Sequence, residues 1–314
     1  MHKFAEIEKG KVVNVMFYYK LYGLTVASEI EFTEAIPCEE MEETDAVIAF
    51  AEPPEWVMEQ YHEGKYSSLS MDVMWFRLED EMLIYVEKGR DVRVKLLDEK
   101  MDRVRMRSYI LSGAMTFLMM QHNYVLIHGS ALVYQDKAFI VSGCSGSGKS
   151  TTALELLKRP DILFASDDIC AVKIVENQCL LYPGPPFQKV CEDVKERENE
   201  HEYIYLEEAG GKFGRKLQQG YVTKPLEITG MFILEKSETE QLKMTSYKGV
   251  EALHALTHNM FRGELWNILG ITPQRLQQFM KVANSLAIYK VERPVNSDTV
   301  NERCDMIMAE IQKI

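Results

Sequence analysis

Eight consecutive residues, Gly143-Cys144-Ser145-Gly146-Ser147-Gly148-Lys149-Ser150, carry the densest chemistry in this sequence. Glycines let a backbone turn tightly and approach a bound group closely. Successive N–H groups at a helix start present partial positive charge to an anion. A lysine and a hydroxyl in the last two positions add a full charge and an oxygen donor for a divalent cation. The spacing G-x-x-x-x-G-K-[ST] is that of a loop cradling the phosphates of a nucleoside triphosphate. In this reading Lys149 reaches the β- and γ-phosphates, Ser150 ligates Mg²⁺, and Thr151 completes the nucleotide-binding set. A surface glycine turn ahead of an ordinary helix is the plainer alternative.

A second group lies at Asp167-Asp168, directly after the apolar run Ile162-Leu163-Phe164-Ala165-Ser166. An apolar strand ending in a carboxylate offers Mg²⁺ a hard oxygen ligand at the phosphate site. Two adjacent carboxylates exceed what a metal requires, so one can hold Mg²⁺ while the other takes a proton from an attacking hydroxyl. The residues alone leave open which does which, and an N-cap followed by a turn acid is the competing reading.

These groups meet only if particular elements hold them. Ala138-Phe139-Ile140-Val141 reads as the strand entering the glycine loop, and Thr151 through Lys158 as the helix leaving it. Residues 169–174 and 179–182 read as a hairpin around Glu176-Asn177-Gln178, which departs from strict βαβ alternation. Residues 101–122 have a broad apolar helical face, with Arg103, Arg105 and Arg107 read as solvated charge ahead of partner-facing charge. Residues 1–100 hold short β-type runs, including a hairpin of 81–86 with 91–96, and no catalytic constellation. The expected organisation is a β-rich lobe over 1–100 and a catalytic domain over 101–314. Residues 191–208 are highly charged and read as helix and loop. The stretch Gly210-Gly211-Lys212-Phe213-Gly214-Arg215-Lys216 has the composition of a mobile loop able to close over phosphates through Lys212 and Arg215, or of a solvated loop. His254 and His258 stand one helical turn apart without a third metal ligand nearby.

The chain has 314 residues and a formal net charge of −12. That balance argues against nucleic acid or an anionic membrane as the main partner. Six cysteines without metal-ligand spacing read as reduced thiols of a cytoplasmic protein. The N-terminus lacks the apolar core of a signal peptide. The longest apolar stretch, near residues 109–120, is shorter than the roughly 20 residues that span a bilayer.

From about Val125 to Leu181 the chain resembles the HPr kinase/phosphorylase family. The matching features are His128-Gly129, the glycine loop with Ser145, Leu156-Leu157-Lys158-Arg159 at the helix end, and the strand into Asp167-Asp168. Weaker echoes of divergent relatives lie at Tyr22-Gly23-Leu24-Thr25-Val26 and at Lys224-Pro225-Leu226 leading to Met231-Phe232-Ile233-Leu234-Glu235. The resemblance implies an α/β P-loop kinase domain of the HPr kinase/phosphoenolpyruvate carboxykinase type, with a small β-rich N-terminal lobe. It implies Mg²⁺·ATP-dependent transfer to a serine hydroxyl of a peptide or small protein. By position, Asp167 is then the base near the acceptor, Asp168 supports the metal, and His128 helps set their charge. Thr151 stands where the family's principal members carry a glutamate, and their C-terminal signature is not found. Divergent relatives include kinases of lasso-peptide precursors. A small-molecule kinase and a nucleotide-dependent regulatory switch are the rival readings, and homo-oligomerisation is left open.

Overall fold

The computed structural model describes residues 6–8, 11–13, 15–190, 192, 203–206, 212–238, 240–295 and 297–313. Its contacts divide the chain into two compact units, Met1–His122 and Asn123–Ile314. The boundary falls after the helical stretch expected to open the catalytic domain, so that stretch groups with the first unit. Among the described residues no helix is long and apolar enough to cross a membrane.

The first unit contains a two-stranded ribbon, β1 (Glu6–Glu8) with β2 (Lys11–Val13). Its main sheet has seven strands: β3 (Phe17–Leu21), β4 (Leu24–Ser28), β5 (Ala46–Phe50), β6 (Ser67–Leu69), β7 (Val73–Leu78), β8 (Met82–Glu87) and β9 (Asp91–Leu96). Their spatial order is β3-β4-β5-β9-β8-β7-β6. The hairpin expected from the runs 81–86 and 91–96 forms as β8–β9. Helix α1 (Glu55–His62) contributes Val57 to a core with Trp75, Leu83 and Tyr85. The helical stretch is not one continuous α-helix. It runs as α2 (Arg103–Tyr109), a π-helical turn (Ile110–Ala114) and α3 (Met115–Gln121). Two of its three arginines are paired rather than solvated: Arg105 meets Glu79 and Glu81, and Arg107 meets the buried Glu34 at 2.9 Å.

The second unit is built on β10 (Val125–Tyr134), β11 (Lys137–Gly143), β12 (Ile162–Val175), β13 (Gln178–Tyr182), β17 (Leu226–Ser237), β18 (Lys243–Tyr247) and β19 (Ala287–Pro294). They pair in the order β11-β10-β12-β13-β17-β19-β18, and β11 also pairs with β17, so five strands form a closed circuit of ladders. Only β11–β17 and β17–β19 are parallel among these ladders. A small sheet of β14 (Phe187–Val190), β15 (Ile204–Leu206) and β16 (Lys212–Lys216) has the order β14-β16-β15. Helices α4 (Lys149–Leu157), α5 (Val250–His258), α6 (Leu265–Leu269), α7 (Pro273–Ser285) and α8 (Val300–Ile311) complete the unit. Ala153 and Leu156 of α4 and Ile307, Met308 and Ile311 of α8 pack with Phe139, Val141, Phe232 and Leu234 into one buried cluster. That cluster fixes the start of α4 against the ends of β11 and β17, which is what positions the glycine loop.

Candidate active site

Residues 143–150 leave the end of β11 and enter α4, as the spacing requires. Gly143, Gly146 and Gly148 have φ of 131°, 73° and 102°, in the region that favours glycine. A Cβ on Gly143 would collide with the Leu234 carbonyl and the Ser147 hydroxyl. Lys149 Nζ donates to the carbonyls of Gly143 at 2.7 Å and Cys144 at 3.0 Å, closing the loop on itself.

Strand β12 does not end at the aspartates. It continues through them to Val175, and the segment expected as a separate strand at 169–174 is its second half. Two irregularities deliver the carboxylates. The β10–β12 register shifts between Ala131 and Leu132, leaving Ala165 as an extra residue, and Asp168 adopts a φ of 69°. In a regular strand neighbouring side chains point to opposite faces. The left-handed residue, a conformation in which Asp is enriched, lets Asp167 and Asp168 line the same pocket.

That pocket, of about 310 Å³, is bounded by the glycine loop, both aspartates, His128, Ser130, Lys189 and Arg293. The Ser130 hydroxyl donates to Asp167 Oδ1 at 2.7 Å, and the Lys189 N–H donates to Asp167 Oδ2 at 2.9 Å. Burial pushes the Asp167 carboxyl above its ordinary range, against the opposing pull of the Ser130 hydrogen bond. Asp168 lies between two basic groups, His128 Nδ1 at 3.4 Å and Lys189 Nζ at 3.2 Å. The His128 ring stacks on Phe261, and the backbone N–H of His128 donates to the Asn259 carbonyl at 2.8 Å. Arg293 Nε donates to the Ser147 carbonyl at 2.7 Å, and the buried Arg303 Nε donates to Thr152 Oγ1 at 2.9 Å.

The structure thus gathers His128, Asp167, Asp168, Lys149, Ser150 and Thr151 around one cavity, with Ser145, Gly146 and Gly148. Gly143, Cys144 and Ser147 belong to the loop's turn. The basic stretch is different from its expected form. Residues 212–216 are a strand, and Arg215 is buried with its guanidinium donating to Gln188 Oε1 at 2.9 and 3.1 Å. Gly214 is there because the Phe187 ring occupies the space of a side chain. Gly210, Gly211, the side chain of Lys212 and most of 191–208 lie outside the described residues. His254 and His258 stack on each other, and among the described residues no three His, Cys, Asp or Glu side chains cluster as a metal cage.

Sequence reasoning missed Ser130, Lys189, Arg293 and Phe261. Ser130 was accessible, because residues i and i+2 of a strand share a face and His128 was already in view. Lys189, Phe261 and Arg293 come from distant elements, and no local pattern marks them.

No protein family matches the sequence, and no curated protein matches it. Among solved structures the chain is similar to the HPr(Ser) kinase/phosphatase from Coxiella burnetii, at 14% identity over 60% of this chain and 97% of that one, with a TM-score of 0.32. At that similarity the reading of function rests on the chain's own site.

Proposed function

We propose that this chain is a Mg²⁺·ATP-dependent kinase that transfers the γ-phosphate to a serine hydroxyl of a peptide or small protein. The observation that carries the reading is the convergence of the glycine loop with two carboxylates held in unlike environments. Pairs of titratable groups whose surroundings differ mark acid–base division of labour. Asp167 is partly desolvated with a raised proton affinity, which suits a base, whereas Asp168 is flanked by basic groups, which suits an anionic metal ligand.

The residues fit a magnesium nucleotide. Gly146 and Gly148 of the glycine turn line the cavity, and Lys149 and Arg293 supply charge beside them. Ser150 and Asp168, with Asp167, form a hard oxygen set. One or two carboxylates with substrate phosphates are what Mg²⁺ ordinarily takes, rather than an all-protein cage. The metal when bound supplies charge neutralisation of the phosphates.

The chain's own part is positioning and proton transfer. Lys149 and the loop N–H groups hold the triphosphate. Asp167, held by Ser130 and the Lys189 N–H, takes the acceptor proton as the serine oxygen forms its bond to phosphorus. The bond from phosphorus to the bridging oxygen breaks, and ADP leaves with that electron pair. His128, braced by Phe261, orients Asp168. The test is mass spectrometry of candidate serine peptides incubated with the protein, Mg²⁺ and ATP. Added phosphate on serine supports the reading. ATP consumption that leaves every peptide unmodified, with phosphate on a small molecule or in water, replaces it.

A further inference from the structure

We propose that Lys189 is a built-in counter-ion of the aspartate pair, which Asp168 exchanges for the divalent metal, and that the released ammonium then contacts the nucleotide phosphates in the same pocket. The inference rests on the kinase reading and adds a residue to it.

Lys189 is attached to the pair at two points that differ in kind. Its backbone N–H binds Asp167 Oδ2, and its Nζ binds Asp168 Oδ2 at 3.2 Å. The first bond has its donor on the backbone of β14 and does not depend on the Lys189 side chain. The second involves a compact ammonium on a flexible four-carbon stem, free to reorient about a fixed anchor. Two neighbouring carboxylates, both partly buried, repel each other unless a cation lies close. Lys189 supplies that cation from a side chain only 17% exposed. The Asp168 oxygen it occupies is one a metal would also seek. Once Asp168 makes that exchange, the ammonium remains inside a cavity whose other walls include Lys149 and Arg293, groups suited to phosphate oxygens.

The role predicts opposite signs for two ligands, which a packing role does not. Lys189→Met keeps the backbone N–H and most of the stem while removing the charge. In the nucleotide-free protein, Mn²⁺ alone, followed by electron paramagnetic resonance, should bind Lys189→Met at least about five-fold tighter. That is the effect of deleting a unit charge ~4 Å away even under full aqueous screening. Inorganic tripolyphosphate with saturating Mn²⁺, followed by calorimetry, should bind the same variant about ten-fold more weakly, the range for losing one charged hydrogen bond. Lys189→Arg should stay near wild type for Mn²⁺, and Lys189→Gln repeats both measurements without an apolar head in the strand. Unchanged or weaker Mn²⁺ binding in both neutral variants overturns the counter-ion. Tighter tripolyphosphate binding overturns the phosphate contact. Neither measurement involves phosphate transfer, so a failed peptide assay sinks the kinase reading separately.

Discussion

The strands of the two units differ in where their backbone departs from regularity. In the first, the non-glycine residues with positive φ, Tyr22, Glu79 and Lys88, fall in turns between strands. Its β7, β8 and β9 pair without a shift in register. In the second, Gln135, Asp136, Glu176 and Asn177 likewise fall in turns, but Asp168 is left-handed in the middle of a strand, a bulge sits at Ala165, and Asp167 is a partly desolvated carboxylate. A strand free of such departures points successive side chains to opposite faces and cannot bring adjacent aspartates to one cavity. Backbone conformations that cost of order 1–3 kcal/mol persist where the surroundings over-determine them, and they cluster at working sites. The sheet of the first unit shows strands of the same chain that pair in unbroken register.

Substitutions in the two regions should therefore differ in sign as well as size. The largest effect is expected at Asp167. Asp167→Asn preserves shape and can still accept from the Lys189 N–H, but it cannot take a proton. Transfer should fall about 10²- to 10⁴-fold with ATP affinity largely retained, read by single-turnover kinetics beside calorimetry. Equal transfer by the two proteins would remove Asp167 as the base. Next in size is Trp75→Ala in the first unit. Trp75 is fully buried and its Nε1 donates to Gln60 at 3.0 Å. Loss of stability by about 3–5 kcal/mol is expected from denaturant unfolding, and a cost below 1 kcal/mol would mean that this core is not closely packed.

Lys149→Ala should weaken ATP binding about 10- to 10²-fold, the worth of a charged hydrogen bond. Part of that loss comes from the loop itself, since Lys149 also ties the carbonyls of Gly143 and Cys144. Unaltered affinity would refute the phosphate-cradle reading. The smallest effect is a stabilisation, again at Asp167→Asn. Because burial raises the Asp167 carboxyl, the folded chain holds its proton more tightly than the unfolded chain does. The stability this gives is complete below the unfolded value of about 3.9 and is lost as pH rises through the higher folded value. The asparagine variant escapes that loss. Its thermal midpoint should exceed wild type by a few degrees, on the order that small free-energy changes produce, near neutral pH, with the gap closing toward pH 4. A gap that widens on acidification would show that the Asp167 carboxylate is not a cost to the fold.

What the sequence determined by itself is local. The glycine spacing, the apolar run before it and the helix after it are consecutive, so short-range backbone preference defines them without reference to the rest of the chain. The hairpins β8–β9 and β12–β13 are readable for the same reason, through β-type runs on either side of turn residues. The tertiary structure decided what depends on residues far apart. It carried β12 through the aspartates instead of ending it there, because pairing with β10 continues on both sides of the bulge. It turned Lys212–Lys216 from an expected loop into a strand, because β14 and β15 supply ladders that composition cannot reveal. It placed Lys189 on Asp168 across 21 residues and Arg293 on Ser147 across 146. It also gave Asp167 its raised proton affinity, since desolvation is a property of everything packed around a group and of no residue alone.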